Sequence, residues 1–255
     1  MARAPSPAAV LLSVHAVVFD TDGVITDSAP AHAAAWKQAF DACLASCEGQ
    51  RPFDEADDYR RHVDGRSRKD GAAAFLGSRG LRLPEGSPDD PPGTGTVWAV
   101  AARKDEVFTR GLHTHPIEVW PGTVRLLHAL HDARVPFAAA SASRHATELL
   151  AGAGILDLFT AVVDGNEARR LGLPGKPDPA LFIEAARRLR TPPGETAVVE
   201  DALAGVEAGR RGGFGLVVGV DRTDSPEGAA GLRRHGADLV VADPGDLLID
   251  IDGEG

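Results

Sequence analysis

Short apolar runs alternate with helical patterns along most of the chain: HAVVFD, then VRLLHALHDA, VPFAAAS, ATELLAGAG, FTAVVDG, ALFIEAARRL, TAVVED, AGVEAGRRGG, FGLVVGV and finally ADLVVAD. The strand-like runs are β-branched and continuously apolar, as strands covered on both faces are. Strand and helix taking turns predicts a doubly wound parallel sheet, an α/β fold. Between about residues 30 and 116 the pattern changes to HAAAWKQAFDACLA, FDEADDYRRHV, RKDGAAAFLGSRG and VWAVAARKDEVFTRGL, helical stretches without convincing strands. The expected organisation is therefore an α/β core over residues 1–29 and 117–255, interrupted after its first strand by a smaller all-helical insertion over 30–116, placed like a lid. Within the insertion, LPEGSPDDPPGTGT (83–96) is rich in Pro, Gly and acidic residues and reads as a surface loop. No internal repeat is visible, and the final DIDGEG is expected to fray.

Composition narrows the classes. A content of 43% hydrophobic residues suffices for a real core, and 27 Lys+Arg against 37 Asp+Glu give a net charge of −10. That balance argues against a phosphate-backbone binder, so no nucleic-acid partner is expected. Cys43 and Cys47 lie four apart on an expected helix without CxxC or Cys/His spacing, which reads as two reduced thiols and not as a metal site or disulfide. No stretch approaches the ~20 apolar residues of a membrane span, and the opening MARAPSPAAVLL lacks a clear cleavage site. The expectation is a cytoplasmic monomer without membrane association.

AVVFDTDGVITDS packs Asp20, Asp22 and Asp27 just beyond a buried strand. In open parallel sheets the ligand crevice lies at the carboxyl ends of the strands. That rule gathers Asp20 and Asp22 after HAVVF, Ser141 after VPFAAA, the Gly175-Lys176-Pro177 turn after the fourth unit, and Glu200-Asp201 after TAVV. Asp20, Asp22 and Asp201 would repel one another unless a cation sat among them, and hard oxygen donors of this kind suit Mg²⁺ completed by substrate phosphate oxygens. A carboxylate beside Mg²⁺ can attack phosphorus to give an aspartyl phosphate, and a second carboxylate two residues on can exchange a proton with the leaving or attacking oxygen. Lys176 supplies positive charge for the transferring phosphoryl group, and Ser141 with nearby backbone N–H groups can hydrogen-bond its oxygens. Taken singly, DxDG could be a solvated turn, Ser141 or Glu200-Asp201 a helix cap, and Lys176 a surface lysine before a Pro-started helix. Their occurrence in order at successive strand ends is what favours a site.

FDTDGVITD, the SAS at 141–143, GKPDP at 175–179 and VVEDALAGVEAG at 198–209 together resemble the four ordered motifs of the haloacid dehalogenase superfamily, over nearly the whole chain. DGVITDSAPAHAAAWK, DGRSRKD, ARKDEVF and AAASASRH are similar to its β-phosphoglucomutase-like subfamily, whose helical cap follows the first motif. The resemblance implies that Asp20 is the phosphorylated nucleophile and a Mg²⁺ ligand, that Asp22 is the general acid/base and a ligand through its carbonyl, that Asp201 is a third ligand and that Glu200 is a close or water-mediated one. It implies that Ser141 and Lys176 hold the transferring phosphoryl group, with Ala142 and Ser143 beside it. In the cap, His32 and Lys104 match positions that assist acid/base chemistry and substrate binding, and Arg68 matches the residue that grips the second phosphate of a sugar bisphosphate. Trp36, a helical turn after His32, reads as core or cleft wall. An arginine fork suits a phosphate dianion, and a cap carrying it can close on a phosphorylated substrate.

Three departures bear on substrate. Thr21 stands where the pattern commonly has an apolar residue, Ser28 replaces a hinge threonine, and Arg144-His145 stand where the mutase has Lys-Asn. The 83–96 loop also reads as longer than its counterpart. GGFGLVVG has the wrong order for a dinucleotide fingerprint, His113 and His115 read as polar linker residues, and the remaining arginines read as solvated helix faces. Three functions stay open: a mutase acting on a small sugar phosphate, a phosphatase in which water breaks the aspartyl phosphate, and a non-catalytic phosphometabolite-binding module. A dehalogenase does not need Asp22 with a Mg²⁺ cluster, and a phosphonate-cleaving relative needs a Schiff-base lysine where Arg68 stands.

Overall fold

The computed structural model describes residues 6–45, 47–112, 114, 117–223 and 225–249. The chain divides into two compact units, one running up to Asp27 and again from Glu118, the other spanning Ser28–Ile117. His113, His115 and the DIDGEG tail lie outside the described residues.

The first unit opens with a short strand β1 (Ser6–Pro7), a single turn α1 (Ala9–Leu12) and the strand β2 (Ala16–Phe19). After the helical unit come α5 (Pro121–Asp132), β3 (Phe137–Ala140), α6 (Ala146–Gly152), β4 (Ala161–Val163), α7 (Gly165–Leu171), α8 (Ala180–Arg188), β5 (Thr196–Glu200), α9 (Leu203–Arg211), β6 (Leu216–Val220), α10 (Pro226–His235), β7 (Leu239–Val241) and β8 (Leu248–Ile249). Six strands form one parallel sheet in the order β4-β3-β2-β5-β6-β7, while β1 and β8 pair antiparallel as a separate ribbon.

Alternation along each strand explains the continuous apolar runs. Val17, Phe19, Phe137, Ala139, Val199 and Val218 pack with Leu126, Leu127 and Leu130 of α5 on one face. Ala16, Val18, Ala138, Ala140, Val198 and Val217 pack with Phe182 of α8, Val206 of α9 and Leu232 of α10 on the other. The strands of the parallel sheet thus run nearly unbroken in apolar residues because both faces are covered. The expected doubly wound parallel sheet is what the chain forms. The order reverses at β2, which pairs β3 on one side and β5 on the other, and this switch point opens a crevice at the carboxyl ends of the central strands.

In the second unit, α2 (Ala29–Leu44), α3 (Arg68–Ser78) and α4 (Val97–Leu112) close around Trp36, Phe40, Phe53, Phe75 and Val100. The segment FDEADDYRRHV forms only a π-helical turn, Tyr59–Val63. Its acidic side chains divert the backbone: Asp54 Oδ1 accepts from the N–H groups of Ala56 and Asp57, and Asp58 Oδ2 accepts from the N–H of Asp54. Arg79 and Arg51 then bind Asp58, at 2.6 and 3.2 Å, so Arg79 is a buried strut and not the solvated arginine expected from sequence. Loop 83–96 is tied to the start of α4 by Asp90, which accepts from the Thr96 hydroxyl and the Ser87 N–H. Cys43 and Cys47 form no disulfide, and burial pushes the Cys43 thiol up to about 11. Among the described residues, no helix is long and apolar enough to cross a membrane.

Candidate active site

The residues at the carboxyl end of the sheet converge because their strands are neighbours. Phe19 pairs in register with Val199, so Asp20 and Glu200 leave adjacent strands together, and the Asp20 N–H donates to Val199 O at 2.9 Å. Lys176 bridges the two carboxylates, its Nζ donating to Asp20 Oδ1 at 2.5 Å and Glu200 Oε2 at 2.6 Å. Its side chain is wholly buried, as is that of Glu200. Glu200 is further fixed by the Ala202 N–H, which donates to Oε1 at 2.9 Å. From the other side of β2, the Ser141 hydroxyl donates to Asp22 Oδ2 at 3.1 Å and accepts from the Ser143 N–H at 3.0 Å.

Lys176 does not follow a strand, as the sequence suggested. Helix α7 intervenes after β4, capped by Asp164 through the N–H groups of Asn166 and Glu167 and closed by Gly172 in the left-handed region. The lysine reaches the crevice on the loop between α7 and α8.

Burial, reinforced by the negative charge of Glu200 and then of Asp22, pushes the Asp20 carboxyl well above the ordinary carboxylate range, with Lys176 opposing it. Burial would lower the Lys176 ammonium, but Asp20 and Glu200 outweigh it and raise it above its ordinary value. Carboxylates thus outnumber the ammonium group that adjoins them.

One carboxylate oxygen each from Asp20, Glu200 and Asp201 lie within 4.8 Å of one another. Two glycines make room for them. Gly23 has φ +80°, and a Cβ there would stand 1.8 Å from Asp201 Oδ2. A Cβ on Gly205 would stand 1.9 Å from Glu200 Oε2. This donor set, all hard oxygen in a pocket with excess negative charge, fits a small divalent cation such as Mg²⁺.

Residues 14–213 match the family model described as haloacid dehalogenase-like hydrolase. The chain belongs to that family. Among curated members, this haloacid dehalogenase-like protein is 44% identical over 240 residues to a β-phosphoglucomutase of Mycobacterium tuberculosis, covering 92% of each chain. It is 32% identical over 244 residues to a β-phosphoglucomutase of Bacillus subtilis, again covering 92% of each. Among solved structures, the β-phosphoglucomutase of Clostridium difficile superposes with a TM-score of 0.72 at 24% identity, covering 92% of this chain and 93% of that one, a likeness of fold. The enzyme class and subfamily resemblance read from the motifs agree with these matches.

The other predicted residues of this haloacid dehalogenase-like enzyme fall into two places. Ala142 and Ser143 follow Ser141 in the first unit, where the Gly165 N–H donates to Ser143 O at 2.8 Å and a Cβ on Gly165 would stand 2.6 Å from Ala142 O. Arg144 is held by Asn166, Nε donating to Oδ1 at 2.9 Å and the amide donating back to Arg144 O at 3.0 Å. His32, Trp36, Arg68 and Lys104 lie in the helical unit. Lys104 Nζ is 2.6 Å from His32 Nδ1 and 4.5 Å from the Phe108 ring centre, and His32 stacks on that ring at 4.0 Å. Trp36 stacks on Phe40 at 4.7 Å inside the apolar cluster. Arg68 Nη1 donates to Asp105 Oδ2 at 2.7 Å, with its guanidinium 5.8 Å from the Trp98 ring centre.

Sequence reasoning missed Gly23, Gly205, Asn166 and Asp105 as parts of these arrangements. The first two sit inside the quoted motifs, where for Gly23 the adjacent Asp22 was the available signal and for Gly205 there was none. Asn166 and Asp105 carry none, because their partners are remote in sequence.

Proposed function

We propose that the protein is a Mg²⁺-dependent phosphotransferase acting on a small sugar phosphate through a phosphorylated Asp20, in the manner of a β-phosphoglucomutase that converts β-glucose 1-phosphate to glucose 6-phosphate. The observation that carries this reading is the fully buried Lys176 bridging Asp20 and Glu200, beside Asp201 and with Asp22 held by Ser141. The similarity to curated β-phosphoglucomutases over 92% of the chain supports the substrate class.

Asp20 Oδ attacks the phosphorus of the donor, the bond from phosphorus to the sugar oxygen breaks, and that oxygen takes its proton from the Asp22 carboxyl. In the return step the Asp22 carboxylate removes the proton from the acceptor hydroxyl, whose oxygen attacks the aspartyl phosphate and frees the Asp20 carboxylate. Lys176 and Ser141, with nearby backbone N–H groups, hold the phosphoryl oxygens. Asp20, Asp201, Glu200 and the Asp22 carbonyl would hold the cation, which would supply positive charge that keeps Asp20 ionised and offsets the phosphate charge. In the helical unit, His32 and Lys104 assist the proton transfers and Arg68 takes the second phosphate of the bisphosphate.

The hydrolase reading differs only in the acceptor: water, deprotonated by Asp22, in place of a sugar hydroxyl. The Arg144–Asn166 pair favours it, since Arg144 stands where the mutase has lysine and its side chain is tied to Asn166. One assay separates the two. Purified protein with Mg²⁺, β-glucose 1-phosphate and a trace of glucose 1,6-bisphosphate is followed for glucose 6-phosphate and free phosphate in the same tube. Glucose 6-phosphate running well ahead of phosphate supports the mutase, phosphate with little isomerisation supports the hydrolase, and turnover unchanged in Asp20→Asn overturns both.

A further inference from the structure

Arg222, beyond the end of β6, is not a solvated arginine. Its side chain is 18% exposed, and its guanidinium lies 3.9 Å from the centre of the Trp120 ring. Nε donates to Gly23 O at 2.8 Å and Nη2 to Val24 O at 3.3 Å, while Nη1 donates to Asp243 Oδ2 at 3.1 Å and Ala242 O at 3.3 Å. Two of the three guanidinium nitrogens are thus spent on consecutive carbonyls immediately after Asp22, and the third anchors the group to the segment that follows β7.

The turn it grips is the one that carries the site. Gly23 N–H donates to Thr26 O, and the N–H groups of Ile25 and Thr26 both donate to Thr21 O, so residues 21–26 form one hydrogen-bonded loop. Thr123 adds a second bond to Val24 O at 2.7 Å. On its other side the Gly23 α-carbon abuts the Asp201 carboxylate. The loop bearing Asp22 is therefore wedged between Asp201 and Arg222.

We infer that Arg222 is a positioning residue for phosphoryl transfer, acting through Gly23 and Val24 to hold Asp22 and its loop against Asp20 and Asp201. A strut that only joined β6 to the later chain would be served by the Asp243 pair alone. Two directed bonds to adjacent carbonyls while stacked on an indole need a planar fork, which lysine lacks. Displacing reacting groups by ~1 Å can cost about a hundredfold in rate even when the substituted residue is remote from the chemistry.

This inference rests on the proposed function, and Arg222→Lys tests it. The variant keeps the positive charge beside Asp243 and is expected to fold, with Arg222→Gln as the second variant. Steady-state kinetics should show kcat reduced about ten- to a hundredfold with KM little changed. Hydrogen exchange should quicken at the amides of Gly23, Ile25 and Thr26 while those of β5 stay protected. An unchanged kcat in folded Arg222→Lys, or loop amides as protected as in the wild type, overturns the inference, as does loss of protection spread equally through β5. Absence of turnover in the wild type overturns instead the reading on which it rests, so the two failures are distinguishable.

Discussion

Replacing Gly205 with alanine sets two sizeable effects against each other. Gly205 lies in α9, where alanine is favoured over glycine by up to ~1 kcal/mol. The new Cβ, however, would stand 1.9 Å from Glu200 Oε2, 2.1 Å from Cδ and 2.6 Å from Cγ, so the whole side chain and not merely its tip must move. Glu200 is fully buried, with one oxygen held by Lys176 and the other by the Ala202 N–H. Breaking two charge-assisted bonds costs about 3–6 kcal/mol, which leaves a net destabilisation of about 2–5 kcal/mol after the gain in helix propensity. Gly77 in α3 is the control: no heavy atom lies within 4 Å of its would-be Cβ, so Gly77→Ala should be neutral or stabilise by up to ~1 kcal/mol. Urea denaturation followed by far-UV circular dichroism reads both. Gly205→Ala matching or exceeding wild-type stability would refute the claim that Glu200 is locked against α9.

Two further outcomes follow from paired charges. Arg68 and Asp105 are partly buried partners, so a phosphate dianion taken by Arg68 must compete with that carboxylate; Asp105→Asn should tighten binding of glucose 1,6-bisphosphate about fivefold, read by Trp98 fluorescence, and an unaltered affinity would remove Asp105 as competitor. Glu184 is held down to about 2 by its hydrogen bonds to Arg187 and, against the cost of burial, to Arg188. Its folded value lies below the unfolded one of about 4.3, so its contribution is complete above that pH and is lost as pH falls toward 2. The urea midpoint of the wild type should therefore fall more steeply between pH 5 and 3 than that of Glu184→Gln, and parallel curves would count against the depressed value.

What the sequence made legible was whatever repeats locally. The six parallel strands announced themselves because both sheet faces are covered, so Ala16 to Phe19 and Thr196 to Glu200 run nearly unbroken in apolar residues. The carboxylates Asp20 and Glu200 could be gathered in advance because the strand-end rule needs only strand order. Lys176 was assigned to a strand end because α7, GNEARRL, has no apolar stripe and is defined instead by its Asp164 cap and Gly172. Tyr59–Val63 looked helical for longer than it is because hydrophobic spacing does not register carboxylates bonding to their own backbone. Arg222 was indistinguishable from a surface arginine, since Gly23, Trp120 and Asp243 are brought to it only by the finished sheet.

The position of β2 also governs the order in which the protein can be completed during synthesis. This strand leaves the ribosome before the helical unit, and both of its neighbours, β3 and β5, are encoded after that unit. Ser28–Ile117 is contiguous, so its three helices and their aromatic cluster can assemble while Val17, Val18 and Phe19 still lack any strand to pair with. Until β5 emerges, Asp20 has neither Glu200 nor Asp201 beside it, and the charged crevice cannot form. While the helical unit is being made the nascent chain therefore carries an unpaired, apolar strand, which makes β2 a liability for misassembly and for capture by chaperones.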